Sequence, residues 1–216
     1  MRITEALEII QKTPHEGSVF EVNLACGFTP FHLRTFLSAH LQRRLPQRPV
    51  HVSDGLYGDL PGTLVRSAGR PVHAVAVALE WADLDPRLGY RSTGTWGPDA
   101  IADILNVVEA VLARVAEAIG KIPSHVRIAV SLPTVPLPPL FHTAGWQASQ
   151  AELVLEQQLA TFAAGLVQRS GLAVLNRLRL AEESPPAARY DLKSDLLTGL
   201  PYTLSHAGIL ASALTR

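Results

Sequence analysis

A thiol, a hydroxyl, an imidazole and two carboxylates lie at the ends of apolar runs in this sequence. Cys26 and Thr29 sit in the turn Ala25-Cys26-Gly27-Phe28-Thr29-Pro30, which follows the run Val19–Leu24. Gly55-Leu56-Tyr57-Gly58-Asp59 follows a second run and Glu80-Trp81-Ala82-Asp83 a third, while Ser205-His206-Ala207-Gly208 stands near the C-terminus. Thiols, hydroxyls, imidazoles and carboxylates are the groups of nucleophilic and acid–base chemistry. Gly55 and Gly58, so close together after a strand, imply a backbone that bends or lies near a ligand. A helix that starts after the first turn points unpaired N–H groups at it, favouring anions and developing negative charge. The same N–H groups would lower the pKa of Cys26.

Other chemistries find no support. There is no phosphate-binding Walker loop and no glycine-rich dinucleotide fingerprint. The eight histidines include no His-x-His or His-Glu-x-x-His pair, so no metal site is expected, and no cofactor. The Gly-x-Ser-x-Gly elbow of ordinary α/β-hydrolases is absent.

The elements that must position these residues read clearly. Strands are predicted over 19–24, 50–53, 72–79, 126–131 and 172–175. The run Val72–Leu79 is apolar almost throughout, as in a central parallel strand buried on both faces. Helices are predicted over 3–12, with Thr4 as its cap, and over 31–41, 99–119, 149–168 and 206–214, with a helical turn at 61–66. In 99–119 the residues Ile101, Leu105, Val108, Leu112, Val115 and Ile119 recur at three-and-four spacing. Residues 181–199 read as irregular and polar. Residues 132–146 read as a long proline-pinned loop in which Phe141, His142 and Trp146 form either a lid or a packing loop. The alternation of strand and helix predicts one domain, 1–216, an α/β three-layer α/β/α sandwich around a five-stranded parallel sheet. Loops at the carboxyl ends of such strands are where ligands bind.

Composition bounds the class. The 216 residues are 47% hydrophobic, with a mean hydropathy of +0.17 and no net charge at neutral pH. That balance speaks for a filled core and against a nucleic-acid or anionic-membrane surface. Arg43, Arg44 and Arg48 read as a solvated helix end. A lone cysteine suits a reducing compartment. No run reaches the roughly 18 apolar residues of a membrane span, and no signal peptide is evident, so a cytoplasmic location is expected.

Taken in order, the four loops resemble those of the SGNH (GDSL-like) hydrolase superfamily. Gly55-Leu56-Tyr57-Gly58-Asp59 is similar to that family's second block, which donates a backbone N–H to the oxyanion, and His206 with Gly208 matches the last block, which supplies the base. More specifically, the Phe28-Thr29 turn, Val52–Asp59, Leu79–Asp85 and Pro201-Tyr202-Thr203 make the chain similar to the N-terminal domain of the FkbH-like proteins. Departures from the pattern are equally plain. Gly27 stands where the serine nucleophile belongs, or Thr29 does if the motif slides by two residues; Ala82 replaces the asparagine donor; and Thr203 replaces the aspartate before the histidine. The Asp-x-Asp-x-Thr motif of the second FkbH-like domain is absent, so glyceryl loading is not implied.

What the resemblance implies is ester or acyl chemistry, hydrolysis or transfer, on a small-molecule or carrier-protein-bound acyl substrate. A partner enzyme of a natural-product or carbohydrate pathway is the expected protein contact. Thr29 or Cys26 would attack, His206 would act as base oriented by Asp195 or Asp191, and Gly27, Gly55 and Gly58 would hold the oxyanion. Glu80, Trp81 and Asp83 would shape the substrate pocket. Each residue has a plainer reading beside this one: Thr29 as a helix cap, Cys26 as a buried thiol, Ser205 and His206 as a helix start, Gly55 and Gly58 as turns, Trp81 as packing. The second overall reading is a non-catalytic domain that binds an acyl-carrier protein or a partner domain.

Overall fold

The computed structural model describes residues 1–13, 17–92, 94–138 and 147–216. The strands are β1 (Phe20–Ala25), β2 (Val50–Asp54), β3 (Ala74–Ala78), β4 (Arg127–Ser131) and β5 (Leu172–Val174). The helices are α1 (Ile3–Gln11), α2 (Phe31–Arg44), α3 (Leu60–Ala68), α4 (Trp81–Leu84), α5 (Ile101–Gly120), α6 (Gln150–Leu166), α7 (Arg177–Glu183), α8 (Leu192–Thr198) and α9 (Leu204–Leu214). The strands form one sheet in the order β2-β1-β3-β4-β5, and every pair is parallel. This is the expected α/β sandwich.

Side chains alternate across a strand, so a strand buried on both faces feeds two cores. β3 does this: Val75 and Val77 enter the core shared with α3, α5 and α6, whereas Ala76 and Ala78 enter the core shared with α1, α2 and α9. On the first face, Leu112, Val115, Leu155 and Leu159 fill the space between α5, α6 and the sheet. On the second, Phe36, Leu37 and Leu210 do so between α2, α9 and the sheet.

Local chemistry sets the helix starts that aim the loops. Asp59 caps α3 by accepting from the Gly62 amide at 2.9 Å. Ser149 and Glu152 exchange bonds in a capping box that begins α6. Three expectations change. α1 is capped at Arg2 without a side-chain bond, so Thr4 lies inside it. The stretch 181–199 is not irregular throughout, because α7 ends and α8 lies within it. Finally, α9 is capped by Thr203, whose hydroxyl accepts from the His206 amide, so Ser205 and His206 do not start the helix. Phe141, His142 and Trp146 lie outside the described residues. Among the described residues no helix is long and apolar enough to cross a membrane.

Candidate active site at the carboxyl edge

A cavity of about 580 Å³ opens at the carboxyl ends of the strands. Its floor comprises Gly27 after β1, Gly58 after β2, and Trp81 and Asp83 after β3. Leu60 from α3, Leu84 and Leu88 beyond β3, and Val107 and Val111 from α5 make its walls apolar. Tyr90 and Tyr190 stack across its mouth at 4.7 Å, and the Tyr190 hydroxyl donates to Asp195 at 2.7 Å. The volume suits a small organic ligand, for which roughly 300–1,000 Å³ is typical.

His206 is fully buried on α9. Its Nε2 lies 3.0 Å from the Thr134 hydroxyl and its Nδ1 2.9 Å from the Ser184 hydroxyl. The Thr134 hydroxyl donates to Glu80 Oε1 at 2.6 Å. With that proton committed, His206 donates from Nε2 to Thr134 and accepts at Nδ1 from Ser184. Burial, with the Arg189 guanidinium adding to it, pushes the imidazole pKa down to about 3. A ring so weakly basic, with both nitrogens engaged, is a structural hydrogen-bonding group in this geometry.

Glu80 is the hub of this buried network. It is 4% exposed. Its carboxylate accepts from the Thr134 and Val135 amides, from the Thr134 hydroxyl, and from the Tyr202 hydroxyl at 2.6 Å. Burial raises its pKa while these donors oppose the rise. Arg189, buried beside it, donates to the Ser184 and Thr134 carbonyls and so ties the α7 end to the loop after β4.

The attack expected from the first turn is not assembled. Thr29 neither caps α2 nor meets His206; α2 is capped at Pro30 without a side-chain bond, and the Thr29 hydroxyl donates to the Thr198 carbonyl at 3.0 Å. The Cys26 thiol is buried and donates to the Phe28 carbonyl. Its pKa is raised, first by burial and then by the nearby Asp83 and Asp54 charges, so it stays a thiol. Neither expected acid orients His206: Asp191 caps α8 through the Ser194 amide, and Asp195 accepts from Tyr190.

The glycines are placed as turns. Gly58, at φ +73°, gives its amide to the Gly27 carbonyl at 2.7 Å, which leaves no free donor there. Gly55 packs so tightly on α3 that a Cβ would fall 1.7 Å from the Thr63 hydroxyl. Trp81 is buried, and its indole N–H donates to the Val135 carbonyl at 3.1 Å, so it both packs and lines the cavity.

Asp83 stands apart from these. Its Oδ2 accepts the Glu80 amide at 2.8 Å, closing the capping box of α4, and the Gly27 amide also faces it. A Cβ built on Gly27 would lie 1.8 Å from Asp83 Oδ1. The carboxylate therefore fills the space that any side chain at position 27 would need. Burial first, and then the Glu80 charge, push its pKa up to about 7. Among the described residues no cluster of histidine, cysteine or carboxylate side chains could hold a metal ion.

The acidic stretch after β3 stands out in the sequence, but its division of labour does not. Thr134 carried a weak signal, as the first polar residue beyond β4; Ser184 and Arg189 carried none.

No protein-family model matches the chain, and no curated protein matches it by sequence. Its fold is similar to the N-terminal part of BF1531 from Bacteroides fragilis, which contains a phosphatase domain and was crystallised with magnesium. That match has a TM-score of 0.64 at 12% identity and covers 99% of this chain but 55% of the other, so this chain spans about half of that structure's length. An extracellular lipase from Streptomyces rimosus matches with a TM-score of 0.51 at 12% identity, covering 91% of this chain and 100% of the lipase. The chain has the fold of the SGNH hydrolases.

Proposed function

We propose that this chain holds an acyl-bearing substrate, a small molecule or an acyl group on a carrier protein, in the carboxyl-edge cavity and acts in ester or acyl-transfer chemistry. The observation that carries this reading is the cavity itself. It opens at the loops after β1, β2 and β3, the place where open α/β sheets bind ligands. Its apolar walls suit an acyl chain, and its floor offers a carboxylate and backbone groups to the polar end. The chemistry does not run through a serine–histidine pair, because position 27 is glycine and both ring nitrogens of the buried His206 are engaged by Thr134 and Ser184.

The test is turnover of p-nitrophenyl acetate and butyrate and of butyryl-N-acetylcysteamine, with wild type and Val111→Trp side by side. Saturable turnover by wild type, lost when the tryptophan fills the cavity, is the expected result. Equal background rates from both proteins, with no thioester binding by calorimetry, would sink the reading.

A second reading, a domain that binds a partner without turnover, draws on a different observation. Leu56, Tyr57, Leu196 and Leu197 are exposed on the loop after β2 and on α8, elements that border the cavity. The BF1531 structure is nearly twice as long and includes a phosphatase domain, so a separate chain of that kind is the partner to try.

A further inference from the structure

We propose that Asp83 is the acid–base residue of this cavity, its carboxylate seated in the slot that the side chain of residue 27 would otherwise occupy. The assignment rests on the reading that the cavity holds an acyl-bearing substrate. The geometry is specific. The turn after β1 presents Gly27 towards the cavity, and Oδ1 of Asp83 lies 1.8 Å from where a Cβ on that glycine would be. The fold thus keeps the position from which a first-turn side chain would reach substrate, and fills it from the neighbouring strand end. Only glycine at 27 permits this.

The surroundings set the proton chemistry. On its own turn, Asp83 faces the Glu80 amide and, further in, the Glu80 carboxylate. From β1 it faces the Gly27 amide and the Cys26 thiol, and the Tyr202 phenol lies within electrostatic reach. Across the cavity stand Asp59, held by Arg66, and Asp195 beside Arg91, with Arg114 on the α5 side. Burial first, and the Glu80 charge after it, act against ionisation while the Glu80 and Gly27 amides oppose them, so the carboxyl exchanges its proton near neutrality, where an acid–base group works best.

The step balances. Ionised Asp83 takes a proton from water or an acceptor hydroxyl as that oxygen bonds to the acyl carbon. The bond from the acyl carbon to the leaving oxygen or sulfur then breaks, and the proton on Asp83 passes to the departing atom. The carboxylate is regenerated, and no oxidant or reductant is involved.

The experiment compares wild type, Asp83→Asn and Gly27→Ala. Asparagine keeps the shape and still accepts the Glu80 amide, so the capping box survives while titration is lost. Ester turnover should rise with pH through a midpoint near neutrality in wild type. It should fall about a hundredfold or more in Asp83→Asn, as for loss of a positioned acid–base group, with a cooperative unfolding transition retained. Gly27→Ala, which forces the carboxylate out of its slot, should lose turnover to a similar degree. An Asp83→Asn protein with wild-type rate and pH profile overturns the proposal.

A second readout does not depend on turnover. In protein carrying carboxyl-labelled aspartate, one carbon resonance should titrate near neutrality, far above the usual value of about 3.9. That resonance should vanish in Asp83→Asn and shift in Gly27→Ala. If esters are not turned over, this titration decides: its presence, with a change on adding butyryl-N-acetylcysteamine, supports Asp83, and its absence overturns the assignment. Failure of the esterase assay alone counts only against the broader functional reading.

Discussion

His206 Nε2 lies 3.0 Å from the Thr134 hydroxyl, which donates its own hydrogen bond to Glu80. The imidazole is therefore the far end of a buried chain that closes on a carboxylate, with Tyr202 and two backbone amides completing the shell. This chain joins α9, the loop after β4 and the end of β3. It holds still the turn from which Asp83 projects.

The two perturbed groups give stability opposite pH dependences. His206 has a depressed pKa in the folded state, so its contribution is present above about pH 6.5, the unfolded value, and is lost as pH falls towards about 3. Asp83 has a raised one, so its contribution is present below about pH 4 and is lost as pH rises through about 7. Between these limits the slopes oppose, each up to about 1.4 kcal/mol per pH unit. Urea unfolding of Asp83→Asn between about pH 4.5 and 6.5 should show stability falling on acidification more steeply than in wild type. His206→Gln should shift the slope the other way. Parallel curves for all three proteins would contradict both assignments.

The Glu80 shell should behave as a unit. Thr134→Val keeps the volume but leaves His206 Nε2–H without an acceptor and removes one donor from Glu80. A loss of about 2–3 kcal/mol is expected, as for buried polar groups left unpaired. Tyr202→Phe removes another donor to the same oxygen. In a double-mutant cycle the two losses should differ from their sum by at least about 0.5 kcal/mol, measured by chemical denaturation.

Cys26 should resist alkylation. Its thiol is buried, its pKa is raised, and its S–H donates to the Phe28 carbonyl. Iodoacetamide at about pH 8 should label the native protein far more slowly than the urea-unfolded chain, read by intact mass. Labelling at equal rates would show an accessible thiol and reopen its use as a nucleophile.

Gly199 ties α8 to the mouth of the cavity. It ends α8 at φ +74°, in the left-handed region, and its amide donates to the Asp195 carbonyl. A Cβ there would lie 2.9 Å from both the Thr29 hydroxyl and the Tyr57 ring. Gly199→Ala should cost at least about 1 kcal/mol from backbone strain alone. Calorimetry should show the fall in thermal midpoint, and the neighbouring Thr29–Thr198 bond should loosen. An unchanged midpoint would mean that the turn can relax.

Much of the framework is legible in the sequence. The unbroken apolar run ending at Leu79 meant a strand buried on both faces, and β3 feeds both cores. The three-and-four spacing from Ile101 to Ile119 marked α5. Glu80-Trp81-Ala82-Asp83 stood out because charge returns abruptly where β3 ends. The roles within that stretch did not. Glu80 turns inward to four donors, and Asp83 turns outward into the slot beside Gly27, although they are three residues apart on one short helix. His206 drew attention through its place in the chain, yet its burial against Ser184 and Thr134 makes it a poor base.

Strand, helix and loop order follow from local signals, since periodicity and capping act over a few residues, and they sufficed for the α/β sandwich and for the loops at its carboxyl edge. The site chemistry was decided by tertiary contact. Thr134 meets Glu80 across 54 positions, His206 meets Thr134 across 72, and Tyr202 meets Glu80 across 122. Desolvation and the company of neighbouring groups raise the Glu80 pKa against its four donors, bring Asp83 near neutrality and keep the His206 imidazole uncharged. Those properties belong to the folded neighbourhood of a residue, and no stretch of chain carries them alone.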